Sequence, residues 1–190
     1  MLFRWISLFE YCKSFVIFEQ LFNKMNLHIR PYTEKDIPAI LAIINDNILH
    51  STSLYDYEPR TLEKQTALLA EKSAKNFPVI IAEIDGELAG FGMYGEFRFR
   101  DAYRFTVEHS VYVSSECKGK GVGGQLLQSL IDLAMKQGMH TMIGVIDAEN
   151  EESIRFHEKY GFKTVGVIKE SGFKFGRWLD SVFVQLILEE

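Results

Sequence analysis

Apolar and polar residues follow two different periods along this chain from residue 27 onward. Period-two alternation and short apolar runs predict strands at residues 27–31, 79–84, 88–94, 105–113, 141–146, 162–169 and 182–189. Helical spacing of apolar residues predicts helices at residues 33–48, 62–75, 125–136 and 151–160. The resulting order, β-α-α-β-β-β-α-β-α-β-β without repeats or linkers, predicts one mixed α/β domain.

Local signals support two of these boundaries. Thr33 stands where a helix N-cap is expected, and Asp36 occupies the position that completes a capping box. The pair Asp85-Gly86 between two apolar runs predicts a β-hairpin closed by a type I′ turn.

Residues 1–24 differ from the rest because they are crowded with aromatic residues. Glu10, Lys13 and Glu19 interrupt the apolar runs, so none approaches the ~20 residues that a membrane-spanning helix requires. The segment also lacks the long apolar stretch and the cleavage site of a signal peptide. We therefore expect a dispensable helical extension at 1–24 and a single domain at 25–190. An interface helix or a helix on a membrane surface is the alternative.

Composition narrows the classes of function. The chain of 190 residues carries a formal charge of −5, whereas a nucleic-acid-binding protein normally presents a basic face. The two cysteines, Cys12 and Cys117, form neither a metal-ligand spacing nor a disulfide framework. Reduced thiols in the cytoplasm are the simplest interpretation.

A glycine-rich run, residues 117–124, lies between the strand at 105–113 and the helix at 125–136. Glycines let the backbone turn sharply and present several N–H groups toward one point. The helix that follows adds its unpaired N–H groups and the positive end of its dipole. This arrangement predicts a phosphate-binding cradle, although a tight turn without a ligand is the simpler alternative.

Two other nucleotide-binding motifs fit this run less well. A Walker loop needs a hydroxyl residue after its lysine, but Lys120 is followed by Gly121. Gly119, Gly121 and Gly124 match the spacing of a dinucleotide fingerprint, and Asp147 lies about where a ribose-binding acid would stand. The late position in the chain, with no second βαβ half, makes that interpretation less favourable. A phosphate ligand without a metal fits better.

The element order, with the glycine run after the fourth strand, resembles the GNAT superfamily of acyl-CoA N-acyltransferases over residues 27–188. The family's phosphate motif, Arg/Gln-x-x-Gly-x-Gly/Ala, is matched by residues 118–123, with Lys118 in place of the usual Arg or Gln. Residues 98–113, 147–162 and 174–180 resemble blocks of the phosphinothricin and methionine-sulfoximine N-acetyltransferases. The resemblance implies a central, mixed, mostly antiparallel twisted sheet with helices on both faces. It also implies acetyl-CoA without a metal, a small-molecule amine acceptor and a homodimer.

The resemblance further implies which residues hold coenzyme A. Backbone N–H groups of the glycine run would bind its pyrophosphate, and the strand at 111–113 would pair with its pantetheine arm as a neighbouring strand does. Asn150 is expected to cap the following helix, and in the family the equivalent residue also touches pantetheine. The predicted cofactor-binding residues are Val111, Tyr112, Val113, Lys118, Gly119, Lys120, Gly121, Val122, Gly123, Gly124, Asn150 and Ser153.

Glu108 is the candidate general base. Acetyl transfer requires that the amine lose a proton, that the carbonyl oxygen be stabilised and that the leaving thiolate be protonated. Strand alternation places Glu108 on one face with Ser110 and Tyr112, opposite Val107 and Val111. A solvated or ion-paired strand carboxylate is the alternative.

His157 is the second catalytic candidate. Most GNAT enzymes carry a tyrosine four residues before a Gly-Phe pair, where it can protonate the departing sulfur. Here that position holds His157, and Tyr160 directly precedes Gly161. A histidine can act as acid or base near neutral pH, but a packed helix residue bonded to a backbone carbonyl is the alternative.

An amino-acid acceptor needs its carboxylate held, and arginine binds carboxylate or phosphinate in a planar two-point fork. The candidate acceptor-binding residues are Arg98, Arg100, Tyr103, Thr106, Lys174 and Trp178, with Arg104 and the loop residues Ser51, Thr52 and Tyr55 as weaker candidates. We therefore expect an N-acetyltransferase acting on a small acceptor such as phosphinothricin, methionine sulfoximine or methionine sulfone. The alternatives are another amine, such as a protein N-terminus or a polyamine, and a non-catalytic acyl-CoA-binding domain.

Overall fold

The computed structural model describes residues 26–188, so the predicted extension at 1–24 lies outside the described residues. The elements follow in the predicted order: β1 (Leu27–Pro31), α1 (Ile37–His50), α2 (Leu62–Ala74), β2 (Val79–Ile84), β3 (Glu87–Glu96), β4 (Thr106–Val113), α3 (Val122–Lys136), β5 (Thr141–Asp147), α4 (Glu151–Lys159), β6 (Lys163–Lys174) and β7 (Arg177–Ile187). Short 3-10 turns lie at Glu34–Asp36, Asp101–Tyr103 and Ser115–Cys117.

The cap and turn predictions are confirmed. Thr33 and Asp36 form the capping box, in which the Asp36 carboxylate accepts the Thr33 N–H at 2.6 Å. The box caps the short 3-10 turn, and α1 proper begins one residue later at Ile37. Asp85 and Gly86 both have positive φ, 52° and 88°, as a type I′ turn requires.

Three predicted boundaries were wrong. The helix predicted at 125–136 begins earlier, at Val122, because Gly123 and Gly124 belong to its first turn. The strands predicted at 162–169 and 182–189 are one long hairpin, β6 and β7, turning at Phe175-Gly176. Strand β6 is exposed along most of its length, so it carries no apolar alternation that would reveal its full extent.

All seven strands form one sheet in the order β1-β2-β3-β4-β5-β7-β6. Every neighbouring pair is antiparallel except β4 and β5, which are parallel. The predicted fold class, a mixed and mostly antiparallel sheet, is confirmed. The parallel pairing joins Thr106–Glu108 to Thr141–Ile143 and ends there, so the two strands part toward their carboxyl ends.

Helices cover both faces of the sheet, and each face has its own apolar core. On one face, Ile40 and Ile44 of α1 and Leu69 of α2 form a core with Phe91 and Tyr112 of the sheet. On the other face, Leu126 and Leu130 of α3 form a core with Tyr94, Val107 and Met142 of the sheet. Ile154 and Phe156 of α4 pack against this core. Each fully buried large apolar side chain contributes roughly 1.5–3 kcal/mol. Across residues 26–188, no helix is long and apolar enough to cross a bilayer.

Candidate active site

The glycine run forms an open turn into the N-terminus of α3. Gly119 and Gly121 have φ of 74° and 77°, in the left-handed region that favours glycine. The first helical hydrogen bond into the turn runs from the Gln125 N–H to the Gly121 carbonyl at 3.2 Å. The N–H groups of Val122, Gly123 and Gly124 precede that bond, so the helix leaves them available to a ligand.

This turn fits a pyrophosphate. A Cβ built on Gly119 would meet nothing within 4 Å, which shows that the turn is open to solvent on that side. Lys118 and Lys120 are exposed beside it. By contrast, Asp147 is buried, and its Oδ1 accepts the Glu149 N–H at 3.1 Å, so it shapes a turn and is not placed to bind a ribose. The dinucleotide alternative is therefore disfavoured.

The parting of β4 from β5 leaves one edge of β4 available. Val111, Tyr112 and Val113 pair with β3 on one side, whereas the ladder to β5 ends at Glu108. Alternate backbone N–H and C=O groups of this stretch can therefore pair with an amide-bearing ligand. Asn150 caps α4 as predicted, accepting the Ser153 N–H at 3.0 Å.

Glu108 is half-buried on the sheet face covered by α1 and α2, the face that also holds Tyr112. Its neighbour Val107 lies in the core on the other face, as strand alternation predicted. Burial raises the pKa of the Glu108 carboxyl, and the positive charges of Lys72 and Arg98 oppose that rise. A half-buried carboxylate with a raised pKa is a better proton acceptor than an exposed one.

The Lys72 ammonium occupies the space of a missing side chain beside Glu108. Gly95 on β3 is the direct cross-strand partner of Glu108, so a side chain at residue 95 would stand on the same face. A Cβ built on Gly95 would lie 2.5 Å from Lys72 Nζ. The ammonium also donates to the Tyr94 carbonyl at 3.3 Å. Lys72 therefore helps to keep Glu108 ionised.

His157 lies on the opposite face of the sheet from Glu108 and is 7% exposed. Both of its ring nitrogens are engaged: Nδ1 lies 2.7 Å from the Ser153 carbonyl, and Nε2 lies 3.0 Å from Nε2 of His109 on β4. Burial lowers the pKa of His157, and burial together with the neighbouring His157 lowers that of His109 to about 3. The contact at Nδ1 is the one expected of a packed helix histidine that bonds a backbone carbonyl. The contact at Nε2 is different, because it joins His157 to His109 of β4.

Four of the predicted acceptor residues line one cleft next to the start of β4. Arg98 and Arg100 each stack on a neighbouring phenylalanine, with the guanidinium 5.2 Å and 4.7 Å from the ring centre. Arg98 also lies close enough to Glu108 to lower the pKa of that carboxyl. The cleft is lined by Phe77, Glu96, Arg98, Phe99, Arg100, Asp101, Tyr103, Arg104 and Thr106.

Lys174 and Trp178 are not part of that cleft. Lys174 is 2% exposed, and its ammonium donates to the Ser51 and Leu54 carbonyls at 2.8 Å and 2.6 Å. Its position indicates that it fastens the loop between α1 and α2 to the β6–β7 hairpin. Trp178 is 60% exposed and packs edge-on against Phe173. Tyr55, in the fastened loop, reaches the Ser181 hydroxyl at 3.3 Å.

Two residues of this site were missed from the sequence. His109 is a lone polar residue on the otherwise apolar core face of β4, and that contrast was a signal that it needs a buried partner. Lys72 gave no such signal, because its importance depends on the missing side chain of Gly95 on a different element.

Known proteins share this arrangement of elements. Residues 29–183 match the family described as an acetyltransferase (GNAT) domain. A methionine sulfoximine/methionine sulfone acetyltransferase of Pseudomonas aeruginosa is 40% identical over 166 residues, which cover 87% of this chain and 96% of that protein.

Two solved structures extend the comparison. A GNAT phosphinothricin acetyltransferase from Sinorhizobium meliloti, in complex with acetyl-CoA, is 33% identical with a TM-score of 0.84, covering 86% of this chain and 89% of its own. A ribosomal-protein-alanine N-acetyltransferase from Brucella melitensis is 40% identical with a TM-score of 0.84. The match covers 85% of this chain and 99% of that chain.

Substitution of Lys72 by Met should raise the pKa of the Glu108 carboxyl, because it removes a cation and keeps most of the apolar stem. Gly95→Ala should raise that pKa as well, since the new Cβ displaces the ammonium. The measurement is an NMR titration of the side-chain carboxyl carbon of Glu108. Lys64→Met, at an exposed position of the same helix, is the control and should leave the titration unchanged. A Glu108 titration that is the same in all four proteins would show that the ammonium does not act on this carboxylate.

Proposed function

This chain belongs to the GNAT acetyltransferase family and is an acyltransferase, and from that premise we propose that it transfers acetyl from acetyl-CoA to the primary amine of a small amino-acid-like acceptor. The observation that carries the proposal is the opening between β4 and β5. It lies beside the glycine turn and has a half-buried carboxylate on one face and a histidine on the other.

The residues around the opening fit acetyl-CoA. The glycine turn offers backbone N–H groups and two exposed lysines for the pyrophosphate, and the free edge of β4 offers hydrogen bonds for the pantetheine amides. When bound, acetyl-CoA supplies an activated acyl group as a thioester. Two exposed lysines, Lys118 and Lys120, add positive charge, so the usual Arg or Gln at residue 118 is not required for phosphate binding.

In this proposal, the proton acceptor and the proton donor lie on opposite faces of the sheet. Glu108 accepts the proton that the acceptor amine loses as it attacks, directly or through one water. His157 lies on the other side of β4, where it supplies a proton to the sulfur of the leaving group. Because burial raises the pKa of Glu108, activity should decline on acidification at a higher pH than the protonation of an exposed glutamate would give.

The arginine-lined cleft is the proposed acceptor site. Arg98 and Arg100 offer planar forks that suit a carboxylate or a phosphinate, and Arg98 lies within electrostatic reach of the base. A polyamine would instead be held by a site dominated by acids. This charge pattern favours an acceptor of the methionine sulfone, methionine sulfoximine or phosphinothricin type.

A panel of acceptors tests the substrate class. Purified protein with acetyl-CoA should release thiol fastest with methionine sulfone, methionine sulfoximine or phosphinothricin, and should release little with spermidine. Free amino acids and a peptide with an N-terminal alanine belong in the panel, because one similar structure is of a ribosomal-protein-alanine N-acetyltransferase. Faster turnover of the peptide would replace the proposed acceptor class, and no turnover with any amine would favour an acyl-CoA-binding domain.

Substitution of Glu108 by Gln should lower kcat by about 10²- to 10⁴-fold at neutral pH, because it removes the general base but keeps the shape of the side chain. Calorimetry should show that the affinity for acetyl-CoA is unchanged, since Glu108 faces away from the glycine turn. Glu87→Gln, at an exposed strand position, is the matched control and should keep full activity. Equal turnover of Glu108→Gln and the unmodified protein would remove Glu108 from the mechanism.

We further propose that the protein is a homodimer of the reducing cytoplasm. Strand β6 is an edge strand, and it exposes Val165, Val167 and Ile168 to solvent, which is unusual for an unpartnered edge. Light scattering should give twice the 21.9 kDa mass of one chain, and Val167→Lys should lower that mass. A mass of one chain for the unmodified protein at micromolar concentration would contradict the dimer.

A further inference from the structure

His109 and His157 form a buried pair at the point where β4 leaves β5. The two Nε2 atoms lie 3.0 Å apart, a hydrogen-bonding distance. The remaining nitrogens are also engaged: His109 Nδ1 lies 2.8 Å from the Ile143 carbonyl, and His157 Nδ1 lies 2.7 Å from the Ser153 carbonyl. The pair therefore links three elements, β4, β5 and α4.

The hydrogen-bond partners of the two rings favour one number of protons on the pair over another. A carbonyl oxygen can only accept, so each Nδ1 needs a hydrogen in order to bond its carbonyl. A neutral imidazole has only one N–H, so two neutral rings that both donate from Nδ1 would point two lone pairs at each other across 3.0 Å. If both Nδ1 atoms keep their hydrogens, a hydrogen bond between the Nε2 atoms requires a third proton. Three protons on two rings satisfy all the partners, whereas two protons leave one carbonyl without its donor.

The surroundings of the pair are apolar. Phe162 packs against both rings, with ring centres 5.2 Å and 5.4 Å away, and Phe156 packs edge-on against His157. A Cβ built on Gly144 of β5 would lie 2.8 Å from Cε1 of His109, so glycine at this position makes room for the ring. Burial lowers the pKa of both rings, and the charge of His157 lowers that of His109 further. The Ile143 and Ser153 carbonyls act in the opposite direction and favour the extra proton.

We propose that His109 is a positioning residue for His157, and that the two rings share one proton between their Nε2 atoms. The shared proton holds the His157 ring at the opening and is available to the leaving group. This inference rests on the proposed function for its chemical step and on geometry alone for the proton count.

The step balances as follows in the proposed reaction. The C–N bond forms and the C–S bond breaks, the amine proton passes to Glu108, and the shared proton passes from His157 to the sulfur. Both groups return to their starting states by exchanging protons with water. The pair without its third proton has lost one carbonyl hydrogen bond, and regaining that bond favours its reprotonation.

Nitrogen NMR of the unmodified protein labelled at its histidines tests the proton count independently of activity. At pH 7 we expect an N–H at both Nδ1 atoms of the pair, and a single proton coupled to both Nε2 atoms. The exposed rings of His28, His50 and His140 serve as references in the same spectrum. Two protons on the pair, with one Nδ1 bare, would overturn the proposal even if the protein is an active acetyltransferase.

Kinetics of two variants test the positioning role. His109→Phe keeps the ring packed on Phe162 but removes the shared proton, so we expect kcat to fall about 10-fold or more, with the alkaline limb of the pH–rate profile displaced. The KM for acetyl-CoA should change less than about 2-fold, because neither nitrogen of His109 faces the glycine turn. The side-chain carbonyl of His109→Gln can accept from a protonated His157 Nε2, so this variant should recover part of the loss.

The two variants also separate a packing role from proton sharing. An unchanged kcat and pH profile in a folded His109→Phe protein would show that His109 only fills space. If that variant fails to fold, the NMR proton count on the unmodified protein decides the proposal.

Discussion

The functional architecture depends on one constraint, the short pairing of the parallel strands β4 and β5. Hydrogen bonds join them over Thr106–Glu108 and Thr141–Ile143, and the strands then part. The His109 ring lies at that point against Gly144, where any side chain would collide with it. The parting frees an edge of β4 and sets the glycine turn, the carboxylate and the histidine pair around one opening. A sheet with complete pairing would have the same elements but no free edge of β4 at this point.

The alternation of side chains along β4 places a carboxylate on one face of the sheet and a histidine on the other. Glu108 and His109 are consecutive residues, so their side chains point to opposite faces and experience different environments. On one face, burial and nearby cations act in opposite directions on the pKa of a carboxyl. On the other face, apolar burial lowers the pKa of both histidines, and the carbonyls of Ile143 and Ser153 act in the opposite direction. In the proposed mechanism, the fold therefore needs no large movement to bring the acid and the base near the same bond.

Local signals were sufficient to predict much of this from the sequence. Thr33, Asn150 and Asp85-Gly86 are cap and turn residues whose roles depend on their immediate neighbours, and the structure confirms them. The turn formed by the glycine run follows from local backbone conformation, and the sheet face on which Glu108 lies follows from the two-residue period of a strand. Long-range relations were not predictable in the same way. Lys72 matters because Gly95 lacks a side chain, and Lys174 was expected to contact the acceptor because nothing local indicated that two distant carbonyls bind its ammonium.

The anchoring of the loop between α1 and α2 has a thermodynamic consequence. Lys174 binds two carbonyls of this loop, Tyr55 covers Gly172 of β6, and Tyr57 donates to the Phe173 carbonyl, so the loop is ordered by the protein itself. A ligand that meets an ordered surface does not lose binding free energy to the freezing of loop conformations. The geometry of that surface is set during folding, and discrimination between acceptors that touch it will arise from fit and charge.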